Sequence, residues 1–344
     1  MSWREESFRL WQIAILERNS MRYTRFGQTD LEVSRICFGT WQFGGDWGSN
    51  EEQDLTDAIR RALELGVNFF DTAQAYGFGV SEQLLGKALE PEIKNSREDV
   101  ILATKGGLRI VGDQLLRDAS PDWLRQGVED SLRYLGTDYI DLYQVHWPDH
   151  ETPFEETANA LEELVKEGKI RYVGVSNFDA NQMAELEKTR KLDGLQPPYH
   201  LFRRDIEEDI LPYCREHGVG VLVYGPMAHG LLSGKMTPDQ EFDEDDWRGQ
   251  SDLFQGDNFR KNLEKVEELK KFAEERDHTV AQLAVAWTLA NPAVDVAIVG
   301  ARRPDHIEGT ATAAEFDLSE DDLREIEDIM QGAVMVGGPS PEGV

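Results

Sequence analysis

The chain has 344 residues and 39.1 kDa, is 40% hydrophobic with a mean hydropathy of −0.52, and so carries enough apolar material for a sizeable core within one long domain. Lys and Arg number 36 against 66 Asp and Glu, a formal charge of −30 with a pI near 4.5, which argues against nucleic acid or a membrane as partner because both demand a cationic footprint. Cys37 and Cys214 stand far apart without CxxC spacing, which argues against a disulfide scaffold or a zinc site, makes a reducing cytoplasm the default and leaves no metal expected. The acids sit in runs such as Glu162-Glu163 and Asp243 to Asp246, and are read as a solvated surface suited to high salt, the mark of a halophile with an acidic proteome.

In chain order, residues 1–21 read as an appendage that is neither a signal peptide nor a membrane span, and are expected to pack poorly. Residues 22–332 read as one domain, and the Gly/Pro-rich residues 333–344 as a flexible tail. Tyr23–Arg25 and Glu32–Ser34 flank GQTD as a hairpin. Then strand-like and helix-like runs alternate. Ile36–Gly39 precedes a helix over Glu51–Leu65, Val67–Phe70 one over Ser81–Leu89, and Val100–Ala103 one over Pro121–Tyr134. Tyr139–Val145 precedes Phe154–Lys166, Ile170–Val175 precedes Ala180–Lys188, and Leu195-Gln196 precedes Ile206–Glu216. Val219–Tyr224 leads through an acidic connection, Asp239–Asp257, to helices over Asn262–Glu275 and Val280–Ala290. Val294–Val299 and a final helix from Pro304 complete the pattern. Eight strands, each followed by a helix, predict a parallel sheet with right-handed crossovers, closed as a (β/α)8 TIM barrel of the α/β class. The acidic connection is too long for a plain link and reads as a lid or a disordered insertion.

Active sites of such barrels lie at the carboxyl ends of the strands. Asp71, Lys105 and His146 stand at the ends of the second, third and fourth strands, and Tyr76 in the loop after the second. An ammonium beside a phenol favours phenolate and brings a Tyr into the range of acid–base work. Asp71 would hold Lys105, and His146 would orient a carbonyl oxygen beside the Tyr76 hydroxyl. Carbonyl reduction is the natural chemistry, and its hydride must come from a cofactor. Each residue alone has a structural explanation; their gathering in consecutive strand-end loops is what favours catalysis. GFG at Gly77–Gly79 lacks the third glycine and the context of a dinucleotide-binding turn. Trp41, Phe43, Phe78 and Trp147 fall in strand-end loops and are expected to wall an apolar pocket for an aldehyde of medium size.

FDTAQAYG, ATKGG, GVEDSLRYLGTDYIDLYQVHWP, GVSNF and VYGPMAHGLLSGK, in that order from about Arg22 to Met330, resemble the aldo-keto reductase family. The resemblance is to its bacterial and archaeal branch with a GAR-type segment after the last strand. It implies Tyr76 as general acid tuned by Lys105 and Asp71, and His146 as the group that places the carbonyl. Ser176, Asn177 and Gln196 would hold the nicotinamide carboxamide, and Tyr224, followed by Gly225, would stack on its ring. Leu231, Ser233 and Lys235 of GLLSGK would lie along the pyrophosphate, with the acidic connection as a strap. Gly300, Arg302, Arg303 and His306 of the last segment would contact the cofactor, with Arg302 or Arg303 meeting the adenosine 2′-phosphate, which favours NADPH. His306, Gly309 and Thr310 depart from the family's usual residues there, so NADH use stays open.

The function implied is NAD(P)H-dependent reduction of an aldehyde or ketone to an alcohol by an NADP-dependent oxidoreductase. The alternatives are a sugar or polyol dehydrogenase running oxidatively, or a nicotinamide-binding redox sensor with little turnover. The expected partner is a small-molecule carbonyl substrate, and the expected assembly a monomer or small homo-oligomer.

Overall fold

The computed structural model describes residues 21–44, 52–112, 114–243 and 246–337. Twelve strands occur among them: β1 (Tyr23–Arg25), β2 (Glu32–Ser34), β3 (Ile36–Gly39), β4 (Phe69–Asp71), β5 (Ile101–Gly106), β6 (Leu108–Val111), β7 (Gln114–Arg117), β8 (Ile140–Val145), β9 (Ile170–Ser176), β10 (Gly194–Gln196), β11 (Gly220–Val223) and β12 (Val296–Gly300). Eight of them close a barrel in the order β3-β4-β5-β8-β9-β10-β11-β12, with β12 returning to β3. Every pairing around it is parallel. Apolar runs with both faces buried form these strands, as a sheet wrapped by helices demands.

The helices follow their amphipathic pattern. Glu52–Glu64 buries Leu55, Ala58, Ile59 and Ala62 on one stripe, with Glu52 and Asp54 at its amino end. Capping boxes start Ala180–Glu187 (Asp179 with Gln182) and Val280–Ala290 (Thr279 with Gln282). A cap of this kind contributes about 1 kcal/mol. No described helix is long and apolar enough to cross a membrane.

Alternation along the strands decides what fills the barrel. In the lower half Phe69, Ile101, Leu142, Cys37, Leu222 and Val296 form an apolar cluster, closed from below by Phe26 of the β1–β2 hairpin. The ring of Phe26 lies so near Gly194 and Gly220 that a Cβ at either would stand about 2.9 Å from it. Two residues further along the same faces the side chains turn polar: Asp71 follows Phe69, Gln144 follows Leu142, and Lys105 follows Ile101 and Ala103.

Several elements differ from the sequence expectation. A second hairpin, β6–β7, rises after β5 in a stretch to which the sequence reading assigns no element. The helix expected over Ile206–Glu216 begins only at Ile210, after a 3-10 turn at Asp205–Glu207, and that expected from Asn262 begins at Gly256. The final helix is two, Pro304–Ala311 and Glu320–Met330. Phe316, 8% exposed and stacked 3.8 Å from His278, draws the chain inward between them, and the Ser319–Asp322 capping box restarts it. Met21, expected as the last residue of the appendage, is buried against Gly66. The tail expected to be loose from 333 is tied through residue 336: Val334 N donates to Asn262 Oδ1 at 2.9 Å and Val336 N to Phe202 O at 2.8 Å. The rest of the expected appendage and of the tail, residues 1–20 and 338–344, lies outside the described residues.

Candidate active site

A cavity of about 800 Å³ opens at the carboxyl ends of the barrel strands, lined by residues from the loops after seven or more of them. At its floor Asp71 and Lys105 meet. Lys105 is 1% exposed, and its three ammonium protons have three acceptors: Asp71 Oδ1 at 2.6 Å, Thr72 O at 2.9 Å and Tyr76 Oη at 3.2 Å. The other carboxylate oxygen of Asp71 accepts from Gln196 Nε2 at 2.8 Å and Gln144 Nε2 at 3.3 Å. A buried charge pair is costly unless its remaining valences are met, and here they are. Gln144 was not foreseen. Its signal was available: a lone amide in the inward register of β8, two residues before His146.

Tyr76 is delivered by a tight loop. Gly77, Phe78 and Gly79 all have positive φ (65°, 48° and 98°), which swings the chain from β4 into helix Val80–Ala88. This geometry leaves Phe78 40% exposed and outside the cavity, a correction to its expected place in the pocket wall. Phe43 is likewise corrected. It is 4% exposed and turned into the core against Phe38, ring centroids 6.1 Å apart. Trp41 and Trp147 do line the cavity.

The His146 ring stands edge-on to that of Tyr76, centroids 5.7 Å apart. Burial first, and then the Lys105 ammonium, hold its imidazole well below the usual histidine range, so it is neutral at pH 7. Its Nδ1 is buried and has no hydrogen-bond partner among the described residues. A phenol oxygen that accepts from an ammonium keeps its own proton to donate, and a neutral imidazole beside it can hold the oxygen that receives the proton. The arrangement suits proton transfer to a carbonyl oxygen.

Beside this floor, Ser176 Oγ donates to Gln196 O at 2.9 Å. Asn177, at φ 63°, donates from Nδ2 to His146 O and Ser176 Oγ, both at 3.1 Å, and accepts from Tyr224 Oη at 2.9 Å. The structure therefore brings Ser176, Asn177, Gln196 and Tyr224 together on one wall, with Gly225 next to them. Opposite, Gly300 admits the Gln42 amide, whose Nε2 would stand 1.9 Å from any Cβ there. Gln42 Oε1 is a buried acceptor with no partner among the described residues.

At the outer end Arg302 and His306 line the cavity, joined by His229, Gly230 and the acidic connection through Asp243, Asp246, Trp247 and Arg248. That connection is folded, with 3-10 turns at Trp247–Gln250 and Asp252–Phe254; Glu244 and Asp245 lie outside the described residues. Arg248 is paired with Asp246 and donates to His229 O at 3.3 Å, while Trp247 stands edge-on to the His229 ring at 4.6 Å. Burial, then nearby Arg248, lowers the Arg302 guanidinium from its ordinary value. Burial is also the largest influence lowering His306, with Arg303, Lys235 and Arg302 acting in the same direction against Asp305. Arg303 itself is exposed, pairs with Asp305 at 2.9 Å and does not line the cavity; neither does exposed Lys235. Leu231 is fully buried in the core and Ser233 Oγ bonds Gly230 O at 2.6 Å, so these two shape the loop from behind. Among the described residues no group of three or more His, Cys, Asp or Glu could hold a metal ion.

A nicotinamide dinucleotide fits this lining. The cavity runs from the floor, past the buried Gln42 Oε1, to the guanidiniums of Arg302 and Arg248 in an otherwise strongly acidic protein.

A model of the Aldo/keto reductase family matches residues 35–331. Among relatives, "Aldo-keto reductase YhdN" of Bacillus subtilis is 43% identical over 316 residues, spanning 91% of this chain and 95% of that protein. "NADH-specific methylglyoxal reductase" of Escherichia coli is 36% identical over 330 residues, 90% of this chain and 100% of that protein. Among solved structures, the glycerol dehydrogenase AKR11B4 from Gluconobacter oxydans superposes with a TM-score of 0.85 at 40% identity, covering 94% of this chain and 98% of that one.

Proposed function

The chain belongs to the aldo/keto reductase family, and from that premise we propose that Tyr76 is the general acid of a nicotinamide-dependent carbonyl reductase. The single observation that carries this is the bond from the buried Lys105 ammonium to Tyr76 Oη, with His146 neutral alongside. When bound, the reduced nicotinamide supplies the hydride. The chain's own part is to place the carbonyl oxygen between Tyr76 Oη and the imidazole and to deliver the phenol proton. Lys105 then stabilises the phenolate left behind, and Asp71 keeps Lys105 charged and in position. Ser176, Asn177 and Gln196 would hold the carboxamide, and the Tyr224 ring, fixed by its bond to Asn177, would present a flat face to the nicotinamide.

NADPH is the proposed cofactor because Arg302 and His306 face the outer cavity and Lys235 stands near. The half-buried Arg302 guanidinium lies near that of Arg248, and an anionic 2′-phosphate would relieve this like-charge contact. Arg303 is not assigned to it. The same geometry run backward oxidises an alcohol, and the likeness to a glycerol dehydrogenase supports that second direction. Oxidation of NADPH by 4-nitrobenzaldehyde, abolished in Tyr76→Phe, tests the reading. Tight cofactor binding with no turnover on a broad carbonyl panel would overturn it. The acidic surface further supports a cytoplasm rich in salt as the working environment; a melting temperature that fails to rise in molar KCl would count against that.

A further inference from the structure

The β6–β7 hairpin has a face that carbonyl chemistry at the cavity floor does not use. It rises between β5 and helix Pro121–Leu135, and its foot is fixed to the cavity wall. Trp123 Nε1 donates to Leu108 O at 3.1 Å, Arg109 pairs with Asp118 at 2.9 Å, and Arg117 donates to Pro148 O at 3.3 Å. The Arg117 guanidinium also lies 4.9 Å from the ring centre of Trp147, itself part of the cavity wall.

Cross-strand register pairs Leu108 with Arg117 and Ile110 with Leu115. By strand alternation these four share one face, while Arg109, Val111, Gln114 and Leu116 share the other. Leu108 and Leu115 line the same cavity as Tyr76 and His146, which sets the first face toward the site. Leu115 is nevertheless 37% exposed and Ile110 53% exposed. Between Gly106 and Arg117 the sequence holds a single acid, Asp113, in a chain with 66. An apolar face continuous with an active-site cavity has a cost in water unless an apolar group covers it.

We propose that the inward face of this hairpin is a substrate subsite that takes the apolar tail of an aldehyde or ketone. The proposal rests on the carbonyl-reductase reading and adds a substrate class to it: compounds whose chain extends past the carbonyl far enough to cover Leu115 and Ile110. Small polar carbonyl compounds fill only the floor.

The test is a series of straight-chain aldehydes from propanal to octanal with saturating NADPH. It compares the native protein with an inward pair, Ile110→Ser with Leu115→Ser, and an outward pair, Val111→Ser with Leu116→Ser. In the native protein kcat/KM should climb by roughly threefold for each methylene that reaches the hairpin. The gain should lie in KM. The inward pair should lose most with octanal and least with propanal, flattening the climb, and the outward pair should follow the native series. Binding of the corresponding alcohols, read from tryptophan fluorescence, should show the same dependence on chain length without turnover. A flat native series in both readouts, or an inward pair with the native slope, overturns the proposal. So does an inward pair that merely dissociates an oligomer in light scattering, which would make the face a contact between copies. Absence of turnover with every aldehyde while the alcohols still bind by chain length would sink the reductase reading and leave the subsite standing.

Discussion

At the floor of the cavity Asp71, Lys105, Gln144 and Gln196 come from the barrel strands β4, β5, β8 and β10, and every donor and acceptor of the central ion pair is matched. At the outer end Arg302 from the loop after β12, His306 from the first turn of helix Pro304–Ala311 and Arg248 from the acidic connection stand half-buried, with the two guanidiniums acting against one another. The first region is rigid because its atoms are over-determined by strand register. The second is built on segments beyond the strand ends, outside that register. Chemistry at the floor should therefore fail abruptly when one group is removed, whereas recognition at the outer end should decline by degrees.

The sharpest break of that contrast is Tyr76→Phe, which should lower kcat by roughly a thousandfold with an unchanged circular dichroism spectrum. A loss under tenfold would mean that another group delivers the proton. Next, Lys105→Met strands the Asp71 carboxylate 2% exposed, and should cost about 3–5 kcal/mol of stability in urea unfolding in addition to activity. At the outer end Arg302→Ala should weaken NADPH binding by about tenfold and NADH binding much less, measured by fluorescence titration.

A fourth expectation concerns acid. His146 and His200 are both held well below the usual histidine range, chiefly by burial. A group whose folded pKa is depressed adds stability above its unfolded value and loses it as pH falls toward the folded one. The free energy of unfolding, read from urea melts, should therefore decrease as pH drops below about 6.5, by up to roughly 1.4 kcal/mol per pH unit for each such histidine. His200→Asn, which can still accept from Phe202 N, should reduce that acid sensitivity. The smallest effect is that of Arg303→Ala. Its side chain is exposed and engaged by Asp305, so cofactor affinity should change by less than about threefold. A larger change would erase the distinction drawn between it and Arg302.

How much was legible follows from the same division. The eight barrel strands could be read because each is a buried apolar run bounded by a helix, and Asp71, Lys105 and His146 because a polar residue at such a run's end stands out. Phe43 and Phe78 misled because an aromatic in a loop has no periodicity to say which way it turns. For Phe43 the core decided, and for Phe78 three consecutive left-handed residues did. The β6–β7 hairpin was missed because LRIVGDQLLR offers apolar residues without a buried face to set their alternation.

Sequence by itself determined the alternating architecture, the acidic surface and the identities of the groups at the floor, because strand period and composition are local properties. Only the tertiary structure decided that Lys105 directs its third proton to Tyr76, since that contact joins residues 29 apart with two helices between them. It also decided that Arg302 faces the cavity while its neighbour Arg303 turns to Asp305 and solvent, because adjacent residues on an extended segment point to opposite sides.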